Sequence, residues 1–279
     1  IDARDDVQAV AFPYFGGKSA VASHVWDALG NVSHYIEPFA GSLAVLLARP
    51  HKVGPSGHRL TETVNDADGL LVNFWRSMAL KPNETIAASE WPVLELDLHA
   101  RHKWLIGERE SITEKLRADP EWCDPRAAGW WVWGTCASIA GLGPVAYRGM
   151  PQIGDTGRGV LSFSGDAVIQ ESAERMRFVR ALCGDWRRAV APSACEKWRQ
   201  GSVGVFLDPP YGDGEMDYGA GGNGDGSIVA GVWEWAERMQ EHAHVRIVIT
   251  GYDGHPCLPG WREMAWDTSK CGQSGAGYS

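Results

Sequence analysis

The sequence predicts an α/β fold: a doubly wound parallel sheet interrupted by a mainly helical insertion. Three observations carry that prediction. Short apolar runs end in Pro, Gly or an acid and are followed by helical patterns. This succession breaks at Lys81 and resumes near Arg177. The run "VFLDPPYGDG" (Val205–Gly214) ends in two prolines, which cannot continue a sheet ladder and force a rigid turn as Asp208 leaves the strand. A length of 279 residues, 44% of them hydrophobic, suits one large domain carrying such an insertion.

The elements follow in order. After a polar lead-in, "FPYFGGKS" (Phe12–Ser19) is a Gly-Gly turn with a lysine, and a helical pattern runs Ala20–Leu29. "HYIEPFAGS" (His34–Ser42) is a short strand ending in a Pro/Gly turn, and "LAVLLAR" (Leu43–Arg49) a helix. "ETVND" (Glu62–Asp66) is a strand ending in acid, before the helix "GLLVNFWRSM". This is how a doubly wound sheet begins, and its ligands sit at the carboxyl ends of the strands. Residues 81–165 form the insertion, which leaves 12–80 and 166–279 as the sheet domain. The sheet pattern resumes in "RFVRALCGDW" (Arg177–Trp186), continues in "VGVFLDPPY", and after a helix (Ile228–His242) gives "VRIVITGY" (Val245–Tyr252). The Gly-rich "YGAGGNGDG" (Tyr218–Gly226) lies where a mobile lid would follow the Pro-Pro turn.

Composition narrows the classes. No apolar run is long enough to span a membrane, and the start of the chain lacks a charged-then-apolar signal pattern. Six scattered cysteines without a Cys-x-x-Cys pair fit reduced thiols and a cytoplasmic location. His242 and His244 form a tight pair that no Cys or carboxylate cluster joins, so no metal is expected. The net charge is −9, but residues 99–200 carry 15 Lys/Arg against 12 Asp/Glu while the remainder carries 11 against 23. The split either marks a middle segment facing a polyanion or is ordinary surface variation.

The strand ends carry the chemistry. At "EPFAGS" the small Gly41 lets a ligand approach the backbone, and the following helix start offers amide donors. A Gly-x-Gly-x-x-Gly phosphate cradle is absent, which points away from a pyrophosphate cofactor and towards one with a carboxylate. Asp66 has the position that hydrogen-bonds ribose hydroxyls. An amino-acid carboxylate plus a ribose describes S-adenosylmethionine. At the Pro-Pro turn, Asp208 and the Pro209 carbonyl can accept both N–H bonds of an exocyclic base amine and favour the positive charge that develops on its nitrogen. Tyr211 supplies a face on which an extruded base stacks.

The set "PYFGGK … EPFAGS … ND … DPPY", in this order with a large segment before the last, resembles the Dam-type DNA adenine-N6 methyltransferases. The resemblance covers roughly Phe12–Tyr252. It implies a Rossmann-like doubly wound methyltransferase sheet, S-adenosylmethionine as cofactor, double-stranded DNA as substrate and the insertion as the target-recognition region. A cognate restriction enzyme is a candidate partner. The implied catalytic set is Asp208, Pro209, Pro210 and Tyr211. The implied cofactor set is Tyr14, Gly17, Lys18, Glu37, Pro38, Phe39, Gly41, Ser42, Asp66 and Asp208, with Asp185 closing "ALCGDW" as a further position. Tyr14 stands where relatives often have tryptophan, and Ser42 replaces a frequent second small residue.

Alternatives stay open at this level. The same turn can hold the N4 amine of cytosine, and a non-catalytic cofactor-binding recognition protein could keep the fold, although it would have no reason to keep Asp208. Glu37 is either a cofactor ligand or a solvated strand-end acid. Trp130, Trp131 and Trp133 read first as core of the insertion, otherwise as surfaces that stack on bases. Lys103, Arg148 and Arg158 are either phosphate contacts or solvated surface. With a net charge of −9, binding to non-specific DNA should be weak and fall steeply with salt in a fluorescence titration. Tight, sequence-indifferent binding at high salt would remove the insertion's role as reader.

Overall fold

The structure, a computed structural model, describes residues 18–19, 21–55, 57, 59–138, 149–153, 174–210, 227–251 and 257–265. Five strands form one parallel sheet in the order β3-β2-β1-β4-β5. They are β1 (His34–Glu37), β2 (Thr61–Asp66), β3 (Arg180–Cys183), β4 (Val203–Leu207) and β5 (Val245–Ile249). Every residue of β1 and β4 is buried, as expected of central parallel strands covered on both faces. The edge strands β3 and β5 are partly exposed.

Helix α1 (Ala22–Leu29) precedes β1 and buries Ala22, Val25, Trp26 and Leu29, the i, i+3, i+4, i+7 face of an amphipathic helix. It is followed by α2 (Ala44–Leu47), which is one turn, shorter than the expected Leu43–Arg49. Pro50 disfavours helical backbone at Arg49. Arg49 is in addition held by an ion pair to Glu62 at 2.9 Å and by a bond from its guanidinium to the Val32 carbonyl. Arg175, from the segment leading into β3, joins the same Glu62 carboxylate. This trio ties the chain after α2 and the chain before β3 to strand β2.

Helix α3 (Gly69–Leu80) is capped by Asp68, whose side chain accepts from Leu70 N at 2.9 Å. Three helices of the insertion are described: α4 (Pro82–Ser89), α5 (Glu95–Ala118) and α6 (Pro125–Ala137). Asp124 caps α6 ahead of Pro125. Buried Leu98, Leu105, Ile112 and Leu116 recur on one face of α5. Trp131 and Trp133 are core, as first read. Trp130 is partly buried, edge-on to Trp104, with Arg101 and Arg126 over its ring. Leu105, Ala127, Trp131 and Val132 belong to the same apolar cluster as α1, α2 and α3, so α4–α6 thicken one helical layer of the domain. Helix α7 (Ser227–Met239) packs with β4 and Trp186 in the second apolar cluster.

Helices α4 and α6 cross at Gly129. A Cβ there would lie 2.5 Å from Ala88 Cβ, 2.6 Å from its carbonyl carbon and 2.7 Å from Thr85 O. Gly→Ala inside a helix gains about 0.5–1 kcal/mol from chain entropy. A backbone clash of this kind costs about 1–3 kcal/mol, so the clash decides the sign. Gly129→Ala should lower the denaturant midpoint; an unchanged or raised midpoint would show that α4 can withdraw freely.

Candidate active site

The site lies at the carboxyl edge, where β1 parts its two neighbours. Strand β1 pairs with β2 through Glu37↔Val64, so β2 projects two residues further, to Asn65 and Asp66. The Pro-Phe-Ala-Gly turn hangs on that projection. Ala40 N donates to Asn65 O at 2.9 Å, and Gly41 N to Asp66 Oδ2 at 3.0 Å. Gly41 has φ 46, where a side chain would be strained. Leu43, two residues on, takes φ 59 without that excuse, a strain of about 1 kcal/mol or more. The Asn65 amide nitrogen bridges Pro38 O at 2.9 Å and Gly184 O at 3.0 Å, and Gly184 N returns a bond to Asp66 O. The ends of β1, β2 and β3 are thereby fixed to one another.

Glu37 ends β1 and is 3% exposed. The solvated strand-end alternative is therefore set aside. Its Oε2 accepts from the Tyr35 hydroxyl at 3.1 Å, and the Leu46 amide of α2 also donates to it. Burial pushes its carboxyl up to about 8 against those two bonds, with the nearby Asp208 and Asp66 adding to the rise. Asp66 is partly exposed, yet protein packed around its carboxylate pushes it up to about 6, resisted by the amides of Asp68, Gly41 and Ala67. The helix-start donors expected to await a ligand are thus partly taken by the protein's own acids.

Asp208 follows β4. Its Oδ2 forms an ion pair with Lys18 Nζ at 2.7 Å, and its Oδ1 accepts from the Thr250 hydroxyl at 2.6 Å. Both Lys18 and Asp208 are largely withdrawn from solvent. Pro209 is buried and Pro210 partly so. The structure thus brings Lys18, Glu37, Pro38, Phe39, Gly41, Ser42, Asp66, Asp208, Pro209 and Pro210 to one edge. Lys18 touches the Pro-Pro turn's acid. Ser42 is buried, and Phe39 packs against Trp186.

Asp185 stands on the same edge beyond β3, but its carboxylate is turned to Arg187, accepting from the main-chain N at 2.8 Å and the guanidinium at 3.4 Å. Tyr14, Gly17 and Tyr211 lie outside the described residues, as do Arg148, Arg158 and the Gly-rich stretch 218–226. Lys103 is exposed on α5. Thr250 escaped the reading from sequence, and Asn65 enters it only as part of the "ND" strand end, without a role. Their common signal is position: each lies at the carboxyl end of a strand beside one that bears a motif.

Among the described residues no three of His, Cys, Asp or Glu stand close enough to hold a metal ion, and His244 Nε2 faces the Cys195 carbonyl at 2.8 Å. Five described cysteines are unpaired. No helix among the described residues is long and apolar enough to cross a membrane.

The geometry is a five-stranded parallel core with acids at three adjacent strand ends and an Asp-Pro-Pro turn after β4. None of the curated proteins matches the chain. Residues 14–104 match the family model described as D12 class N6 adenine-specific DNA methyltransferase. The matched stretch contains Lys18, the Glu37–Ser42 turn and Asp66, and ends within α5; Asp208 lies beyond it and is joined to it by the β1–β4 ladder. That stretch, about a third of the chain, is similar to the D12-class N6 adenine-specific DNA methyltransferases.

Proposed function

We propose that the methyl donor is S-adenosylmethionine and that Asp208 and the Pro209 carbonyl receive the amine of an adenine turned out of the duplex. The observation that carries this reading is the three-carboxylate edge of Glu37, Asp66 and Asp208, on which burial pushes Glu37 up to about 8 and Asp66 up to about 6. Such an edge is short of positive charge, which suits a ligand with a sulfonium and an ammonium. Glu37 would face the cationic end. Asp66 accepts from the amides of Gly41, Asp68 and Ala67, and of about four lone-pair directions on its carboxylate one is left for a ribose hydroxyl. Pro38, Phe39, Gly41 and Ser42 shape the turn beside it, and Tyr14, Gly17 and Asp185 complete the proposed cofactor set.

When bound, the cofactor would supply a methyl carbon on a sulfonium, from which an attacking amine nitrogen displaces the neutral thioether. The protein's part is orientation and charge. Asp208, held by both oxygens, accepts an N6–H, opposes the positive charge growing on nitrogen and stands ready to take the released proton. Pro209 offers a carbonyl from a turn that two prolines make stiff. Tyr211 stacks the extruded ring. The insertion, residues 81–165, reads the target sequence, and the enzyme works in the cytoplasm on double-stranded DNA.

The direct test uses unmethylated DNA and methyl-labelled S-adenosylmethionine, followed by digestion to nucleosides. Label should appear in N6-methyladenine and disappear with Asp208→Ala. Label in N4-methylcytosine, or activity that survives the substitution, would overturn the assignment of Asp208 to adenine. A second test addresses the acidic edge. In an unfolded chain the Glu37 carboxyl loses its proton near its ordinary value of 4.5, but in the fold it holds it to about 8. Between those values the folded state binds more protons, so this group's contribution to stability falls as pH rises. Glu37→Gln, which cannot ionise, should therefore gain in melting temperature relative to the parent from pH 5 to pH 9. A difference that stays constant with pH would mean that Glu37 ionises normally.

A further inference from the structure

We propose that Thr250 is a positioning residue for methyl transfer, setting the orientation of the Asp208 carboxylate. The inference rests on Asp208 being the amine acceptor. Strands β4 and β5 pair in register up to Leu207↔Ile249, so Thr250 stands opposite Asp208 one step past the ladder. The Thr250 amide donates to Leu207 O at 3.0 Å, which fixes its main chain to the end of β4. Its hydroxyl has one proton and two acceptors within reach: Asp208 Oδ1 at 2.6 Å and Leu207 O at 3.4 Å. The shorter contact to the carboxylate wins, because bonds to an ionised acceptor are shorter and stronger.

The effect on Asp208 follows from valence. Each carboxylate oxygen accepts along about two lone-pair directions. Thr250 occupies one on Oδ1 and Lys18 one on Oδ2. Two different donors on the two oxygens oppose rotation of the carboxylate, and among the described residues no other donor is seen on either oxygen, which leaves an acceptor direction for a substrate amine. Thr250 is 9% exposed, so water has poor access to replace the hydroxyl. The branched side chain is stiff about its first bond, which holds the donor in place.

The experiment compares Thr250→Val, which keeps the shape and loses the donor, with Thr250→Ser, which keeps the donor. Thr250→Val should lower single-turnover methylation about 10- to 100-fold, the scale of a misplaced reacting group. Cofactor Kd and the KM for DNA should stay within about threefold, because the bond orients the acceptor and does not hold either ligand. Thr250→Ser should restore most of the rate. Wild-type turnover in Thr250→Val, a change confined to KM, or a serine variant as slow as the valine one would overturn the proposal. Melting curves report folding, and if valine unfolds the protein, Thr250→Ala against Thr250→Ser gives the same comparison. Asp208→Ala separates the two readings. An active Asp208→Ala enzyme overturns the role of Asp208 itself. An inactive one with wild-type Thr250→Val overturns the role of Thr250 alone.

Discussion

The parallel ladder between β1 and β4 is the constraint on which the site depends. It joins Ile36 to Val205 across most of the chain's length, and it sets Asp208 beside residues that the first quarter of the chain contributes. Strand β1 is the pivot of the strand order, with β2 on one edge and β4 on the other. Helical connections leave such a pivot to opposite faces, which opens a crevice at its carboxyl end. Asp66 belongs to one wall of that crevice, Asp208 to the other, and Glu37 to the floor. Neither matching segment nor motif alone would produce this arrangement.

Electrostatics follows from that convergence. Three carboxylates from three strands would repel if all were ionised in a poorly solvated cleft. The fold answers in two ways: it supplies donors, from Tyr35, Gly41, Asp68, Leu46, Lys18 and Thr250, and it lets Glu37 keep its proton. Donors are spent unevenly. Asp208 receives an ammonium and a hydroxyl, while Glu37 and Asp66 receive neutral groups and stay above the usual carboxylate range. One edge therefore holds both a carboxylate fixed by an ammonium and a hydroxyl and two acids that keep their protons to higher pH than usual.

Much of this was legible in the sequence because the motif residues break the local rules of strands. Prolines soon after "VFL", a Pro-Phe-Ala-Gly turn after "HYIE" and an Asn-Asp pair after "ETV" each announce a strand end with a task, and the order of strand and helix patterns yields the sheet. What was hidden depended on tertiary neighbours. Thr250 is an ordinary residue at the end of an apolar run, and only the β4–β5 register puts its hydroxyl on Asp208. Glu37 reads equally as a surface acid until Tyr35 and α2 close over it. The early stop of α2 combines Pro50 with the anchoring of Arg49 to Glu62, a partner no periodicity reveals. Asp185 has the right place in sequence, but the 3₁₀ turn Trp186–Arg188 directs its carboxylate to Arg187.

The central ladder also sets the order in which the molecule can be completed during synthesis. As the nascent chain emerges, β1 and β2 can pair while β4 is still far from the ribosome's exit. One edge of the most buried strand then stays open throughout translation of the insertion. An unpaired apolar edge of this kind invites association with other chains. The ion-paired trio of buried Arg49 and Glu62 with half-buried Arg175 bears on the other side of the sheet: Arg175 arrives after the insertion and just before β3, and it docks on an acid that β2 has already presented. The β2–β3 edge can therefore close before β4 arrives, so the proposed site is completed only after the opposite side of the sheet is already paired.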